Sequence, residues 1–180
     1  QAEADRLGAD LQVLTQGSQP RRALLQQYAD GRGRVLVGSH SFWEGIDIPG
    51  DALQCVLIDK LPFPPPNDPL VEARVRQLQA QGRNAFDEVH VAEAAVALKQ
   101  GAGRLIRSET DQGLLVICDP RLRQMGYGRR LMAALPPMGV LGDEAQALDW
   151  LALLASMHAP EGSTRSATTA WPRPSAWHPE

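Results

Sequence analysis

RVLVGSHSFWEGIDIPG, Arg34 to Gly50, decides the fold. Its first part is a short Val/Leu run of strand length, and its second part breaks off into Gly38, Gly45 and Gly50 with two acids, Glu44 and Asp47. A short continuous apolar run reads as a strand covered on both faces, the pattern of a parallel sheet. In such sheets, ligand chemistry lies in the loops at the carboxyl ends of strands. The position of the loop therefore matters before its residues do.

The same kind of run recurs outward from this point. LQVL (Leu11 to Leu14) precedes it, and QCVLID (Gln54 to Asp59) and GLLVICD (Gly113 to Asp119) follow. Between the runs lie helical patterns: PRRALLQQYAD, NDPLVEARVRQLQAQG and VAEAAVALKQGAGRLIR. Strands alternating with helices predict an α/β domain with a parallel sheet. Asn67 or Asp68 is the expected N-cap ahead of Pro69, with Leu70, Val71, Val75 and Leu78 forming an apolar stripe that ends at Gly82. LPFPPP, Leu61 to Pro66, can neither continue a strand nor start a helix, because successive prolines lack amide donors. It reads as a rigid connector, the alternative being a polyproline ligand.

With 180 residues, 43% of them hydrophobic, the chain can bury one substantial core. The formal net charge of −3 gives no overall basic field, so any nucleic-acid contact must come from local residues. Cys55 and Cys118 each sit in an apolar run and are expected as small buried thiols, neither disulfide nor metal ligands. No apolar run approaches the roughly 20 residues of a membrane span, and no secretory pattern opens the chain. A soluble cytoplasmic protein is expected. DEAQALDWLALLASM offers a last amphipathic helix, with Leu148, Trp150, Leu151 and Leu154 able to pack back or meet a partner. From residue 158 the composition turns to Ser, Thr, Pro and Ala, too poor in aliphatics to offset ordering entropy. That tail is expected to be disordered, with Trp171 and Trp177 either anchors for a partner or incidental.

Two constellations carry chemistry. In the opening stretch, Gly45 admits close backbone approach and Asp47 offers a carboxylate to ribose hydroxyls, an amide nest or an arginine; a structural turn cap is the plainer alternative. In QGAGRLIRS, Gln100 to Ser108, Arg104 and Arg107 are three apart on a helical pattern, and glycines at 101 and 103 clear side chains from their neighbourhood. Two guanidinium groups cannot lose their protons and match phosphate oxygens, so the pair suits charge on a transferring phosphoryl group. A solvated basic helix end near Glu109 and Asp111 is the plainer alternative.

Together these stretches resemble motifs V and VI of superfamily 2 helicases, in the branch of the XPD-like and DinG-like DNA helicases. Motif V, approximately S-x-x-E-G-x-D, is matched by Ser41, Glu44, Gly45 and Asp47. Motif VI, Q-x-x-G-R-x-I-R, is matched by Gln100, Gly103, Arg104, Ile106 and Arg107. The phrases LPFPPPNDPL, FDEV, LKQGAGRLIR and VICDPRL look most like the bacterial YoaA type of the DinG family, over roughly residues 10 to 138.

The resemblance implies a P-loop NTPase-like fold without its own P-loop: residues 1–157 as most of a second RecA-like domain, truncated at its start, and 158–180 as a tail. It implies an ATP-dependent 5′-to-3′ DNA helicase of replication or repair. ATP and Mg2+ would be held mainly by an upstream domain, since neither a G-x-x-x-x-G-K-[ST] loop nor a D-E-A-H box occurs here. The iron–sulfur cluster of the family, which takes four cysteines, is expected outside this chain. By the same analogy Gly45 and Asp47 face the nucleotide, Glu44 tethers motif VI, Ser41 approaches single-stranded DNA, and Arg107 with Arg104 reaches the γ-phosphate. Gln100 positions their helix and Gly103 lies beside the nucleotide. Phe42, Trp43 and Phe63 are ring candidates for stacking on the strand, with core packing the alternative for Trp43 and Phe63. A non-catalytic docking module binding the chi subunit of the polymerase III clamp loader is the alternative function, and the YoaA type is linked to that subunit.

Overall fold

The computed structural model describes residues 11–31, 33–43, 48, 52–106 and 111–157. It divides into two compact units, meeting in sequence at Leu53 and Gln54.

In the first unit, strand β1 (Gln12–Thr15) leads to helix α1 (Arg21–Ala29) and strand β2 (Arg34–Val37). The strands pair in parallel, in a register that sets Gln12 opposite Arg34 and Thr15 opposite Val37. Leu14, Leu24, Phe42 and Ile48 form the core, with Leu25, Tyr28, Leu36, Ala52 and Leu53 packed against it. Pro20 caps α1 without a side-chain hydrogen bond, so burial of Leu24 holds this helix more than capping does.

The second unit repeats the plan. Strand β3 (Cys55–Ile58) pairs in parallel with β4 (Leu114–Ile117), Cys55 opposite Leu114 and Ile58 opposite Ile117. Between them run α2 (Pro69–Ala80), a π-helical turn (Phe86–Val91) and α3 (Ala92–Leu105); after β4 come α4 (Arg121–Gln124), α5 (Gly128–Ala134) and α6 (Glu144–Met157). Asp68 is the N-cap of α2, its carboxylate accepting from the amides of Leu70 at 2.8 Å and Val71 at 3.3 Å, with Pro69 at the first helical position. The helix ends where Gly82 takes a φ of 69°, a left-handed conformation that only glycine adopts cheaply. Helix α3 buries Ala94, Leu98, Gly101, Ala102 and Leu105 against β3, β4 and α5.

The parallel α/β architecture is the one expected for a RecA-like helicase domain, and three details differ from expectation. The strands are not evenly covered on both faces: Val35 and Val37 are exposed on β2 and Leu57 on β3. Leu70 is 76% exposed, and the α2 stripe is Val71, Val75 and Leu78, which share a face at i, i+4 and i+7. Cys118 is exposed, since it lies just past the end of β4; Cys55 is half-buried, and burial raises its thiol pKa. Of the residues named on α6, Leu154 is fully buried and Leu148 is exposed, while Trp150 donates its indole N–H to the Gly113 carbonyl at 3.3 Å. Trp171 and Trp177 lie outside the described residues.

Candidate nucleotide and nucleic-acid site

At the carboxyl end of β2 the chain turns into a 3₁₀ turn, His40–Trp43, so the S-x-x-E-G-x-D sequence begins one turn beyond the strand. Two contacts fix that turn. Gln16 Oε1, from the end of β1, accepts from the Ser39 amide at 2.8 Å and from its hydroxyl at 3.1 Å. Arg21 Nη2 donates to the Phe42 carbonyl at 2.9 Å, and its guanidinium carbon stands 5.1 Å from the Phe42 ring centroid. Gln16, Gly17, Gln19, Arg21, Leu24 and Phe42 line a shallow cleft of about 290 Å³. Phe42 is 6% exposed and packs in the core with Leu14, Leu24 and Ile48, which leaves little of it open to stack on a strand. Glu44, Gly45 and Asp47, and the side chains of Ser41 and Trp43, lie outside the described residues.

The Q-x-x-G-R sequence falls on the last turns of α3. Gln100, Gly103 and Arg104 share the outer face at i, i+3 and i+4, opposite the face that buries Leu98, Gly101 and Leu105. A Cβ built at Gly103 meets no atom within 4 Å, so neither sterics nor its backbone conformation among the described residues requires glycine. Arg104 Nε is buried and has no hydrogen-bond partner among the described residues. A buried guanidinium donor left unmade is costly, so it calls for an acceptor that arrives from elsewhere. A phosphate oxygen would match its charge. The helix stops at Leu105 and Ile106 is extended, at φ −119° and ψ 110°, so helical spacing is not what relates Arg104 to Arg107. Arg107 itself lies outside the described residues.

A third arrangement was not anticipated. Asp119, just beyond β4 and 6% exposed, accepts from the Leu61 amide at 2.9 Å, from the Arg121 amide at 3.0 Å, and from the Arg121 guanidinium through Nε at 2.9 Å and Nη2 at 2.6 Å. The guanidinium first, and then the backbone amides, hold its carboxyl far below the usual carboxylate range against the opposing effect of burial; the same pairing raises Arg121. This knot ties the Leu61 end of the proline-rich connector to the start of α4. Phe63, half-buried on that connector, faces Tyr127 edge-on at 5.6 Å and Phe86 at 5.8 Å, with the Arg121 guanidinium carbon 5.4 Å from its ring centroid. The sequence signal was an acid followed by proline at the end of an apolar strand, where a carboxylate can reach free amides of the next turn.

No group of three or more His, Cys, Asp or Glu side chains among the described residues could hold a metal ion. No described helix is long and apolar enough to cross a membrane.

Residues 1–138 match the family model described as the helicase C-terminal domain. The chain is 46% identical to the ATP-dependent DNA helicase YoaA of Escherichia coli over 155 residues, 86% of this chain and 24% of that protein. It is 45% identical to YoaA of Haemophilus influenzae over 75% of this chain and 21% of that protein, and 42% identical to the ATP-dependent helicase DinG of Mycobacterium tuberculosis over 75% and 20%. The chain spans about a quarter, or less, of the length of these relatives. It belongs to the helicase C-terminal domain family, in its DinG/XPD-like, YoaA-like branch.

Proposed function

We propose that residues 1–157 are the second motor domain of an ATP-dependent DNA helicase that moves 5′ to 3′ along single-stranded DNA. ATP and Mg2+ sit mainly on a domain outside this chain. Arg107 and Arg104 reach the γ-phosphate, Gln100 positions the helix that carries Arg104, Gly103 leaves the ledge open, and Gly45 and Asp47 face the nucleotide with Glu44 tethering the Q-x-x-G-R-x-I-R stretch. Ser41 and Phe63 approach the strand. The observation that carries this reading is the buried, unpartnered Nε of Arg104 on the same helix face as the open Gly103.

ATP supplies a phosphate partner for these arginines only when the two domains meet, so closure is favoured before hydrolysis and released after it. This chain alone is inactive as an ATPase, because it carries neither a phosphate-cradling loop nor D-E-A-H acids. Its two cysteines cannot ligate an iron–sulfur cluster that takes four thiolates, so such a cluster belongs to another part of the full-length protein. Work in replication or repair, in the bacterial cytoplasm at the nucleoid, follows from this activity.

The test is Arg107→Ala in the full-length protein, with DNA-stimulated ATPase measured beside DNA affinity. A trans-acting arginine is worth on the order of 10³ to 10⁵ in rate, so turnover should collapse while affinity persists. Normal turnover sinks the assignment. A second reading, docking of a replication protein such as the polymerase III chi subunit, draws on the exposed Leu148 and Met157 of α6, and a pull-down comparing Leu148→Asp with the unaltered protein tests it.

A further inference from the structure

The turn between β1 and α1 carries no residue of either helicase motif, yet it holds the start of one of them. Gln16 follows β1 and Arg21 opens α1. From these two points the turn grips the chain beyond β2 at both ends of Ser39–Phe42. Gln16 Oε1 accepts from the amide and the hydroxyl of Ser39, while Arg21 Nη2 donates to the Phe42 carbonyl with its guanidinium against the Phe42 ring. The Phe42 amide closes the same turn by donating to the Ser39 carbonyl at 2.9 Å, and the Gln16 amide donates to the Val37 carbonyl at 2.8 Å, so the gripping residue is itself fixed to β2. Gly38 leaves room for the grip: a Cβ there would stand 3.1 Å from Gln16 Oε1 and 3.2 Å from Phe42 Cβ and Cγ, tighter than ordinary contact.

These contacts lie where burial contributes little. Gln16, Arg21 and Ser39 are exposed, whereas the core of the unit is Leu14, Leu24, Phe42 and Ile48. Hydrogen bonds at the surface add modestly to stability, because water competes for the same donors and acceptors. What they supply here is direction. With Ser39 and Phe42 tied to a strand end and a helix start, the course of the backbone is set at two points. Ser41 lies between those points in sequence, and Glu44, Gly45 and Asp47 follow the second one.

We propose that Gln16 and Arg21 are positioning residues for ATP hydrolysis: from the β1–α1 turn they set the start of the S-x-x-E-G-x-D stretch, so that its strand and nucleotide contacts are made from one fixed frame. The proposal rests on the helicase reading and extends it to two residues outside both motifs. Catalytic groups have to be held within a fraction of an ångström, and a displacement of about 1 Å can cost about 10²-fold in rate even when the altered residue is remote from the chemistry. Neither side chain has to touch the nucleotide for its loss to be felt. A role in stability alone is the weaker fit, because all three polar side chains of the grip are exposed.

The experiment measures DNA-stimulated ATPase of the full-length protein over a series of ATP concentrations with saturating oligo-dT, beside the urea unfolding midpoint. Gln16→Ala and Arg21→Ala should each lower kcat by about 10- to 100-fold. The KM for ATP and the unfolding midpoint should change little, since ATP is held mainly by another domain and no core residue is lost. Gln16→Glu keeps an oxygen acceptor for Ser39 and should recover most of the loss; Arg21→Lys keeps a cationic donor for the Phe42 carbonyl and should recover part of it. The double alanine variant should lose less than the product of the single losses, because both residues act on one turn. If an alanine variant fails to fold, the Ser39 amide of the unaltered protein decides: it should exchange slowly with deuterium although Ser39 is exposed, and stay slow in Gln16→Glu. Wild-type kcat in both alanine variants, a loss that tracks a falling unfolding midpoint, no recovery in Gln16→Glu, or rapid exchange at Ser39 overturns the positioning role. An unaltered protein whose ATPase does not respond to DNA would instead overturn the helicase reading beneath it.

Discussion

Arg104 and Arg121 belong to the same unit, each near the end of a secondary-structure element, yet their guanidinium groups are in opposite situations. Arg121 is held by a buried carboxylate two residues away, which accepts from its Nε, its Nη2 and its backbone amide. Arg104 buries its Nε against no acceptor among the described residues, beside a glycine with open space where a side chain would be. An arginine satisfied within its own fold is a structural part with at most one edge to spare. One left unsatisfied costs stability, and the cost is recovered when an acceptor comes from outside. The difference separates a residue satisfied within the domain from one with a donor left over.

Arg104→Ala should break the comparison most visibly. DNA-stimulated ATPase of the full-length protein should fall by about 10³-fold, while urea unfolding shifts by less than about 1 kcal/mol, because no internal hydrogen bond is lost. Equal losses of stability and turnover would show that Arg104 is structural after all.

Asp119→Asn should show the reverse balance. Removing a charged acceptor of several donors should cost about 2–3 kcal/mol at neutral pH, read by chemical denaturation with circular dichroism. The sign with pH follows from the depressed carboxyl: its contribution is complete above the unfolded value of about 4 and disappears as pH falls through and below it. The gap between the variant and the unaltered protein should therefore begin to narrow below about pH 4 and keep narrowing as pH falls toward the depressed folded value, and a gap that stays constant there would contradict the pairing.

Asp68→Ala sharpens the comparison with another internally satisfied acid. Loss of the α2 cap should cost about 1 kcal/mol and leave ATPase unchanged. Gly103→Ala is the smallest and most discriminating change. By helix propensity alone it should stabilise by up to about 1 kcal/mol, since the new Cβ meets nothing within 4 Å. If the ledge receives the nucleotide-bearing domain, the stabilised variant should nevertheless turn over ATP more slowly; unchanged turnover would mean that nothing closes on that face.

Much of this was legible in the residues alone, because period and punctuation are local. Short Val/Leu/Ile runs spaced by helical patterns point to parallel strands, and the two strand pairs are parallel. Asp68 ahead of Pro69 marks the start of α2, and Gly82 marks its end. The stretches S-x-x-E-G-x-D and Q-x-x-G-R-x-I-R point to the family, since so many matched positions at fixed spacing rarely coincide by chance.

What the residues alone left open depended on distance in space. Whether Phe42 offers its ring or buries it is decided by Leu14, Leu24 and Ile48, from three other segments. Where α3 stops is marked by the burial of Leu105 and the extended backbone at Ile106, which the helical pattern of the residues did not show. The pairing of Asp119 with the Leu61 amide spans 58 residues, and the ring cluster gathers Phe63, Phe86 and Tyr127 from three separate turns. Sequence by itself determined the order of elements and the chemistry available on each, because local spacing and backbone preference act within a few residues. Only tertiary structure decided which donors were satisfied and which were left over, because hydrogen bonds and burial depend on groups that the chain brings together from far apart.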